Sequence, residues 1–117
     1  MIKNKTGAWG EVYAARYLRD NKYKIVSTNY SCRFGEIDII AFDGKVLCFV
    51  EVKTRDKDTL HRPMEAVDEG KQQRLEQTAK SFISYTKYTN ETRFDVCEVW
   101  LDDEYNLTDI NYIKNAF

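Results

Sequence analysis

GEIDIIAFDGKVLCFVEVKTR, residues 35–55, is the stretch whose pattern indicates the fold of this chain. Two runs rich in Ile, Val and Phe flank the dipeptide Asp43-Gly44. That dipeptide is the strongest short signal for a β-hairpin, because both residues of the turn need positive φ angles. The sequence therefore predicts strands at residues 35–42 and 45–54, joined by a turn at residues 43–44.

Four charged residues interrupt the otherwise apolar hairpin: Glu36, Asp38, Glu51 and Lys53. Successive side chains of a strand alternate between the two faces of a sheet, and cross-strand partners share a face. With the turn at 43–44, Phe42 pairs with Lys45, and all four charged residues fall on one face. In this register Asp38 and Glu51 are diagonal neighbours, with Cβ atoms roughly 7 Å apart.

The opposite face of the predicted hairpin is uniformly apolar and carries Ile37, Ile39, Ala41, Val46, Cys48, Val50 and Val52. The charged face also has apolar residues near the turn, namely Ile40, Phe42, Leu47 and Phe49. The sheet should therefore be buried on both sides near the turn and polar only at its far end. Acids grouped at that end repel one another and lose hydration, so a cation should lie nearby.

Two kinds of cation can compensate these acids. Lys53 can pair with one of them. A divalent metal, Mg²⁺ or Mn²⁺, can satisfy Asp38 and Glu51 together, because carboxylate oxygens are the ligands that hard cations prefer. An exposed strand end whose acids are simply solvated fits this short pattern equally well.

The rest of the chain contributes two helices and further strands. The predicted elements are a helix at 6–21 capped by Thr6, a strand at 23–29, a helix at 71–87, a strand at 93–101 and a strand or turn at 107–117. Residues 55–70 form a polar loop that contains Pro63, with a short turn at 64–68. The order αβββαβ indicates an α/β fold with a mixed β-sheet flanked by helices.

Each predicted helix places a charged residue on or beside its apolar face. The first helix has an apolar stripe formed by Ala8, Val12, Ala15 and Leu18. Glu11 lies beside that stripe. The second helix has an apolar face formed by Leu75, Ala79, Phe82 and Ile83. Lys71 lies one turn before Leu75 on that face, where a lysine either extends to the solvent or serves a site.

Composition bounds the class of protein. The chain has 117 residues, 43% hydrophobic and 32% charged, which suits one globular domain over residues 1–117. Three separated cysteines, Cys32, Cys48 and Cys97, favour buried free thiols over disulfides or a zinc knuckle. His61 is the only histidine, which argues against histidine-rich zinc sites and most Ser-His triads.

Net charge and hydropathy bear on partners and location. The net charge of −1 is not that of a typical nucleic-acid binder. Cations are nonetheless concentrated in the middle third of the chain: Arg33, Lys53, Arg55, Lys57, Arg62, Lys71 and Arg74. No apolar run reaches the ~18 residues that span a bilayer, and the N-terminus lacks the apolar stretch of a signal peptide. A cytoplasmic protein without membrane association is therefore expected.

Six blocks of the sequence occur in the order in which a known family has them: GAWGEVYAARYL at 7–18, GEIDIIA at 35–41, FVEVKTR at 49–55, EAV at 65–67, RFDV at 93–96 and NAF at 115–117. Over nearly the full chain, they resemble the YraN-like family. Asp38 followed by Glu-Val-Lys at 51–53 also resembles the active-site motif of the wider PD-(D/E)XK nuclease superfamily. The resemblance implies a single nuclease-like domain with a restriction endonuclease-like core, related to Holliday-junction resolvases.

The resemblance carries roles to individual residues. Asp38 and Glu51 match the ligands of a Mg²⁺ or Mn²⁺ ion, and Lys53 matches the active-site lysine. Glu11 matches an acid that resolvase-like members add to the metal site from the first helix. Lys71 falls at a helix position where many members carry a Lys or Gln near the site.

The function implied by the resemblance is metal-dependent hydrolysis of phosphodiester bonds by an endonuclease. The partner is a nucleic acid, with DNA favoured and branched DNA among the candidates, and a homodimer is a candidate assembly because resolvase-like relatives often pair. Candidate phosphate contacts are Lys71, Arg55, Arg33 and Arg74. Ile37 stands where the motif usually has proline.

Two other functions stay open. The first alternative is a non-catalytic nucleic-acid-binding or interaction module that retains the nuclease fold. Intact Asp38, Glu51 and Lys53 speak against it, because a structural role needs none of them. The second is a metal-dependent enzyme for a small phosphorylated substrate, which the lack of a Gly-rich phosphate loop weakens.

Overall fold

The computed structural model describes residues 4–58 and 68–117. Its elements are, in chain order, α1 (Lys5–Asp20), β1 (Lys24–Cys32), β2 (Gly35–Asp43), β3 (Val46–Asp56), α2 (Glu69–Thr86), β4 (Thr92–Leu101) and β5 (Leu107–Ile113). The predicted α/β fold is confirmed, and the segment predicted as a strand or turn at 107–117 contains a strand. The resulting order, αβββαββ, is compatible with a restriction endonuclease-like core.

Some sequence features lie outside the described residues. They are the sole histidine and proline, His61 and Pro63, and residues 64–67 of the predicted turn. Within the described ranges, neither helix is long and apolar enough to cross a membrane.

The sheet has the strand order β1-β2-β3-β4-β5, so strands adjacent in sequence are also adjacent in space. The pairs β1–β2, β2–β3 and β4–β5 are antiparallel, whereas β3 and β4 are parallel. Parallel strands need a long crossover connection, and α2 lies in the connection between β3 and β4. The sheet is therefore mixed, as predicted.

A hydrophobic cluster lies on each side of the sheet. The α1 side contains Ala14, Ala15, Leu18, Tyr23, Ile39, Ala41, Cys48, Val50, Cys97, Val99 and Leu101. The α2 side contains Ile37, Ile40, Leu47, Phe49, Leu75 and Ala79, with Phe82 and Ile83 packed against them. The predicted burial of the hairpin on both sides near its turn is therefore confirmed, as is the apolar face of the second helix.

The buried stripe of α1 differs from the predicted one. Its buried positions are Gly10, Ala14, Ala15 and Leu18, whereas Val12 is 45% exposed. Gly10 explains the rotation, because a Cβ atom there would collide with the Thr54 hydroxyl of β3. The missing side chain lets this face of the helix lie directly on the sheet.

Both helices begin earlier than predicted, and each is capped by a side chain. Asn4, not Thr6, caps α1, and its Oδ1 accepts a hydrogen bond from the Gly7 amide at 2.7 Å. Asp68 caps α2, and its Oδ1 accepts from the Lys71 amide at 2.9 Å. The Thr6 prediction was wrong because Asn4, two residues earlier, also has a capping side chain and is the one used.

The hairpin register also differs from the predicted one. The loop residues are Gly44 and Lys45, so Asp43 pairs with Val46 and Phe42 with Leu47 rather than with Lys45. Gly44 takes φ +59 as the first turn residue, the position that glycine favours in one of the two common hairpin turns. The partner moves by two positions, and because side chains alternate with period two, the predicted faces are kept for residues 39–42 and 46–50.

The predicted alternation fails at Ile37. Ile37 packs in the α2-side cluster, although Ile39, two residues later, packs in the α1-side cluster. The neighbouring strand is distorted at the same point, where Asn29 has φ +53 between the pairs Thr28–Ile39 and Tyr30–Ile37. The strand pair is therefore irregular beside Asp38.

A buried ionic network ties β4 to the hairpin turn and the C-terminus. Arg93 donates through Nε and Nη2 to both oxygens of the fully buried Asp95, and through Nη1 to Asp43. Asp95 also accepts from Tyr112 at 2.6 Å and from the Asn115 amide at 3.1 Å. Burial and the bond to Asp95 raise the pKa of Tyr112, so its hydroxyl stays a donor. The buried acid is thus compensated on every side by groups of this chain.

The three cysteines are free thiols, as predicted. Burial raises the pKa values of Cys48 and Cys97 to about 12, so both stay protonated at neutral pH.

Removing the cation of the buried network should destabilise the fold. Arg93→Met leaves the Asp95 carboxylate buried without its two-point partner, so the free energy of unfolding should fall by about 3–5 kcal/mol in urea. Lys114→Met is the control, because Lys114 is 59% exposed and lies 3.8 Å from Asp43. It should cost less than ~1 kcal/mol. Equal losses in the two variants would contradict a structural role for the network.

Candidate functional site

Strands β2 and β3 separate at one end of the hairpin. Their paired residues run from Asp43–Val46 to Ile39–Val50. Beyond that pair, β2 continues along β1 to Gly35, and β3 continues along β4 to Asp56. The sheet therefore forks at this point, between the middle of β2 and the second half of β3.

Asp38 lies at this fork. Its Oδ2 accepts a hydrogen bond from the Val52 amide at 2.8 Å. A side-chain oxygen thus satisfies a β3 backbone donor at the position where β2 leaves the ladder. This bond also fixes the direction of the half-buried Asp38 carboxylate.

Glu51 follows the last hairpin pair on β3, and its side chain meets α2. The Lys71 ammonium donates to Glu51 Oε1 at 2.8 Å. The Lys71 side chain is 37% exposed and that of Glu51 is 13% exposed. Lys71 therefore compensates the Glu51 carboxylate.

A hollow of about 250 Å³ collects most of the predicted site residues. Its lining consists of Gly35, Glu36, Asp38, Glu51, Lys71, Arg74, Leu75 and Thr78. Gly35 has φ +151, and a Cβ atom there would lie 3.3 Å from Thr78 Oγ1, so glycine suits this close approach of β2 to α2. Asp38 and Glu51 thus share one hollow with two cations of α2.

Glu11 is the predicted ligand that this hollow does not include. It lines a different hollow on α1 and β1, together with Ala8, Val12, Ala15, Arg19, Thr28 and Asn29. The two hollows share no lining residue. Within residues 4–58 and 68–117, no group of three or more His, Cys, Asp or Glu side chains is close enough to hold a metal ion. The ligand role of Glu11 stays a prediction.

Lys53 lies two residues beyond Glu51, outside the lining of the hollow. It is half-buried and in register with Glu98 of the parallel strand β4. Partners in register share a face, so Glu51, Lys53 and Glu98 lie on the α2 side of the sheet. Lys53 therefore flanks the acid pair along the strand.

Glu98 is a charged residue that the sequence interpretation missed. It is 2% exposed, and its two oxygens accept from Arg55 Nε at 3.0 Å and from Asn111 Nδ2 at 3.2 Å. The signal was available in the alternation of β4, where Glu98 shares a face with Val96 and Trp100. Arg55, predicted to contact phosphate, is held by Glu98 in this structure.

The other two predicted phosphate contacts, Arg74 and Arg33, are placed differently relative to the hollow. Arg74 lines it from α2 and is exposed. Arg33 lies on the turn between β1 and β2, with its guanidinium 4.8 Å from the centre of the Phe34 ring. Their contacts with nucleic acid stay predictions.

The residues present fit a divalent cation. Carboxylate oxygens are the donors that Mg²⁺ and Mn²⁺ prefer, and Asp38 and Glu51 present them to a common space. Glu51 already binds a positive charge, the Lys71 ammonium, at 2.8 Å. The Glu51 carboxylate therefore stabilises a positive charge in this hollow.

Comparison with known proteins identifies the family. The family model described as "Uncharacterised protein family UPF0102" matches residues 10–99. The UPF0102 protein of Caldicellulosiruptor bescii is 44% identical over 121 residues, covering all of both chains. That of Moorella thermoacetica is 39% identical and covers all of this chain and 98% of the relative. That of Alkaliphilus metalliredigens is 44% identical, over 99% of this chain and all of the relative.

The chain belongs to the UPF0102 family. The predicted membership of the YraN-like family is thereby confirmed, because the two designations refer to the same family. The matched range contains all of the predicted site residues from Glu11 to Arg74. The family names state no activity.

The pairing of Arg55 with Glu98 can be measured by a double-mutant cycle. Because Glu98 is buried and Arg55 is 30% exposed, we expect a coupling free energy of about 1–2 kcal/mol from urea unfolding of Arg55→Met, Glu98→Gln and the double variant. The same cycle with exposed Lys57→Met in place of Arg55→Met should show coupling below ~0.5 kcal/mol. A coupling near zero would show that Glu98 does not hold Arg55; the predicted phosphate contact of Arg55 stays a prediction.

Proposed function

We propose that this protein is a metal-dependent endonuclease that hydrolyses phosphodiester bonds in DNA. The observation that carries the proposal is the meeting of Asp38 and Glu51 in one hollow at the sheet fork, with Lys71 and Arg74 beside them. Two carboxylates from separate strands and adjacent cations are what a site for both a divalent metal and a phosphate requires. The resemblance to PD-(D/E)XK nucleases supports the same assignment.

Asp38 and Glu51 would hold the metal ion, Mg²⁺ or Mn²⁺. When bound, such an ion supplies Lewis-acid polarisation of a phosphate and a more acidic water. The Val52 amide keeps the Asp38 carboxylate aimed into the fork, so this ligand needs little rearrangement. The acids alone would repel DNA, and the bound cation would cancel that negative field.

The cations of the chain have separate tasks in this proposal. Lys71 and Arg74 lie on one side of α2 and line the hollow, where they would attract and hold a phosphate group. Lys53 lies two residues beyond Glu51 on the same face of β3, where it would orient the attacking water or stabilise charge that develops on the phosphate. Binding and chemistry are thus assigned to different lysines.

One observation favours the alternative of a non-catalytic DNA-binding module. The Lys71–Glu51 ion pair compensates one of the acids without any metal. Such a module would use the cations around the hollow for phosphates and leave the acids as internal partners. The two functions differ in whether cleavage occurs and in whether the acids bind metal.

Lys53 should serve chemistry rather than binding. We expect Lys53→Ala to bind DNA in Ca²⁺ within about threefold of the wild-type affinity, because affinity is spread over many phosphate contacts. Cleavage in Mg²⁺ should fall by at least ~100-fold. A screen of branched, duplex and single-stranded DNA with Mg²⁺ and Mn²⁺ first identifies the cleaved substrate.

Lys57→Ala is the matched control for Lys53→Ala, since Lys57 follows β3 and is exposed. It should keep wild-type cleavage. Wild-type cleavage by Lys53→Ala would refute the role of Lys53. If wild-type protein binds DNA and cleaves none of the three substrates with either metal, the non-catalytic module replaces the nuclease.

Metal binding should depend on the acids and compete with Lys71. In calorimetric titration with Mn²⁺, Asp38→Asn should weaken binding by more than about tenfold. Lys71→Met should tighten it by about two- to fivefold, because the cation no longer has to displace a partly exposed ion pair from Glu51.

Lys80→Met removes the same charge from the exposed face of α2 and should leave the Mn²⁺ affinity unchanged. Wild-type affinity in Asp38→Asn would exclude Asp38 as a ligand. Weaker binding by Lys71→Met would show that Lys71 supports the metal site instead of competing with it.

A further inference from the structure

An aromatic side chain stands exposed next to the candidate site. Phe34 occupies the two-residue turn between β1 and β2, and it is 38% exposed. The Arg33 guanidinium lies over its ring at 4.8 Å from the centre. Phe34 is part of neither hydrophobic cluster among the described residues. Core packing therefore does not account for its position.

Phe34 forms one wall of a second hollow, of about 280 Å³. The other walls come from the start of α2: Gly70, Gln73, Arg74 and Gln77. Arg74 also lines the hollow that contains Asp38 and Glu51. The two hollows are therefore adjacent, with Arg74 at their boundary.

The chemistry of the second hollow suits a nucleobase. An aromatic ring and an arginine plane are the surfaces on which unpaired bases stack. Gln73 and Gln77 lie one helical turn apart and line the same space, and their amide groups can both donate and accept hydrogen bonds at the edge of a base. The volume lies just below the ~300–1,000 Å³ of sites that enclose whole drug-sized molecules. It suits a single planar group.

We propose that this hollow binds one unpaired base of the DNA substrate, next to the phosphate held at Arg74. Bases inside a duplex are stacked on one another and cannot present a face to Phe34. The substrate would therefore contain a single-stranded segment at the cleavage point, as a fork, a flap or the centre of a branched molecule does. This inference rests on the proposed nuclease function for the place of the phosphate, and it names the substrate class.

Binding of matched DNA molecules tests the subsite without cleavage. Fluorescence anisotropy in Ca²⁺ compares a forked duplex carrying one single-stranded arm with a blunt duplex of equal length. We expect wild-type protein to prefer the fork. Phe34→Leu keeps an apolar side chain and removes the ring, so it should lose about tenfold in affinity for the fork and less than about twofold for the duplex. Phe34→Tyr should retain the wild-type preference.

Tyr85→Leu is the matched control, because Tyr85 is an aromatic residue of α2 that is 85% exposed and outside both hollows. It should bind both DNA molecules as wild type does. A second readout places 2-aminopurine in the single-stranded arm next to the duplex junction. Its fluorescence should change on binding to wild type and to Phe34→Tyr, and should not change with Phe34→Leu.

The outcomes separate the subsite from the nuclease activity. Wild-type protein without a preference for the fork, or Phe34→Leu with unchanged fork affinity, overturns the subsite even if DNA is cleaved in Mg²⁺. Equal losses on fork and duplex overturn it as well, because they indicate a general contact. If no DNA is cleaved and Phe34→Leu still weakens the fork alone, the subsite stands and the nuclease proposal fails.

Discussion

The hydrogen bond from the Val52 amide to Asp38 Oδ2, at 2.8 Å, is the constraint on which the candidate site depends. Two antiparallel strands can separate inside a sheet only if the freed backbone donors find other partners. Here a carboxylate provides one, so β2 can follow β1 while β3 follows β4. The same bond that permits the fork also holds an acid at its centre. The Asp38 side chain therefore both stabilises the fork and belongs to the candidate site.

Asp95, Glu98 and Glu51 are acids of this sheet that pair with cations, and their exposure distinguishes their roles. Asp95 is fully buried with Arg93, and Glu98 is 2% exposed with Arg55. Such pairs are costly to break because a charge would remain in a medium of low polarity. The Glu51 side chain is 13% exposed, and its partner Lys71 is 37% exposed. Water can reach this pair, so Glu51 can exchange its partner at a much smaller cost.

The features that could be predicted from the sequence are those that depend on residues close together in the chain. The alternation of residues 35–55 was sufficient for the hairpin, for the shared face of Asp38 and Glu51 and for the two-sided burial near the turn. The predicted register was wrong because the two loop residues can be Asp43 and Gly44 or Gly44 and Lys45. The conformation of Gly44 decides between these two loops. The alternation of β4 indicated the burial of Glu98, but its pairing with Arg55 depends on the parallel pairing of β3 with β4, which no local pattern encodes. The partner of Glu51 is Lys71 of α2, and the position of this helix against the sheet is not encoded locally either.

The N-terminal part of α2 carries both a local helix cap and the side chains that contact the candidate site. Asp68 caps the helix by accepting a hydrogen bond from the Lys71 amide. The side chain of the same lysine donates to Glu51. Arg74 follows three residues later on the same side of the helix and borders both hollows. The fixed pitch of the helix thereby sets the spacing from Lys71, at the acids, to Arg74, at the boundary of the two hollows. Because Arg74 borders both hollows, a phosphate bound there would lie next to the acids of one hollow and next to the ring of the other. A nucleotide has the same two neighbours for its phosphate, because the phosphate carries the bond to be cleaved and is joined through the sugar to the base.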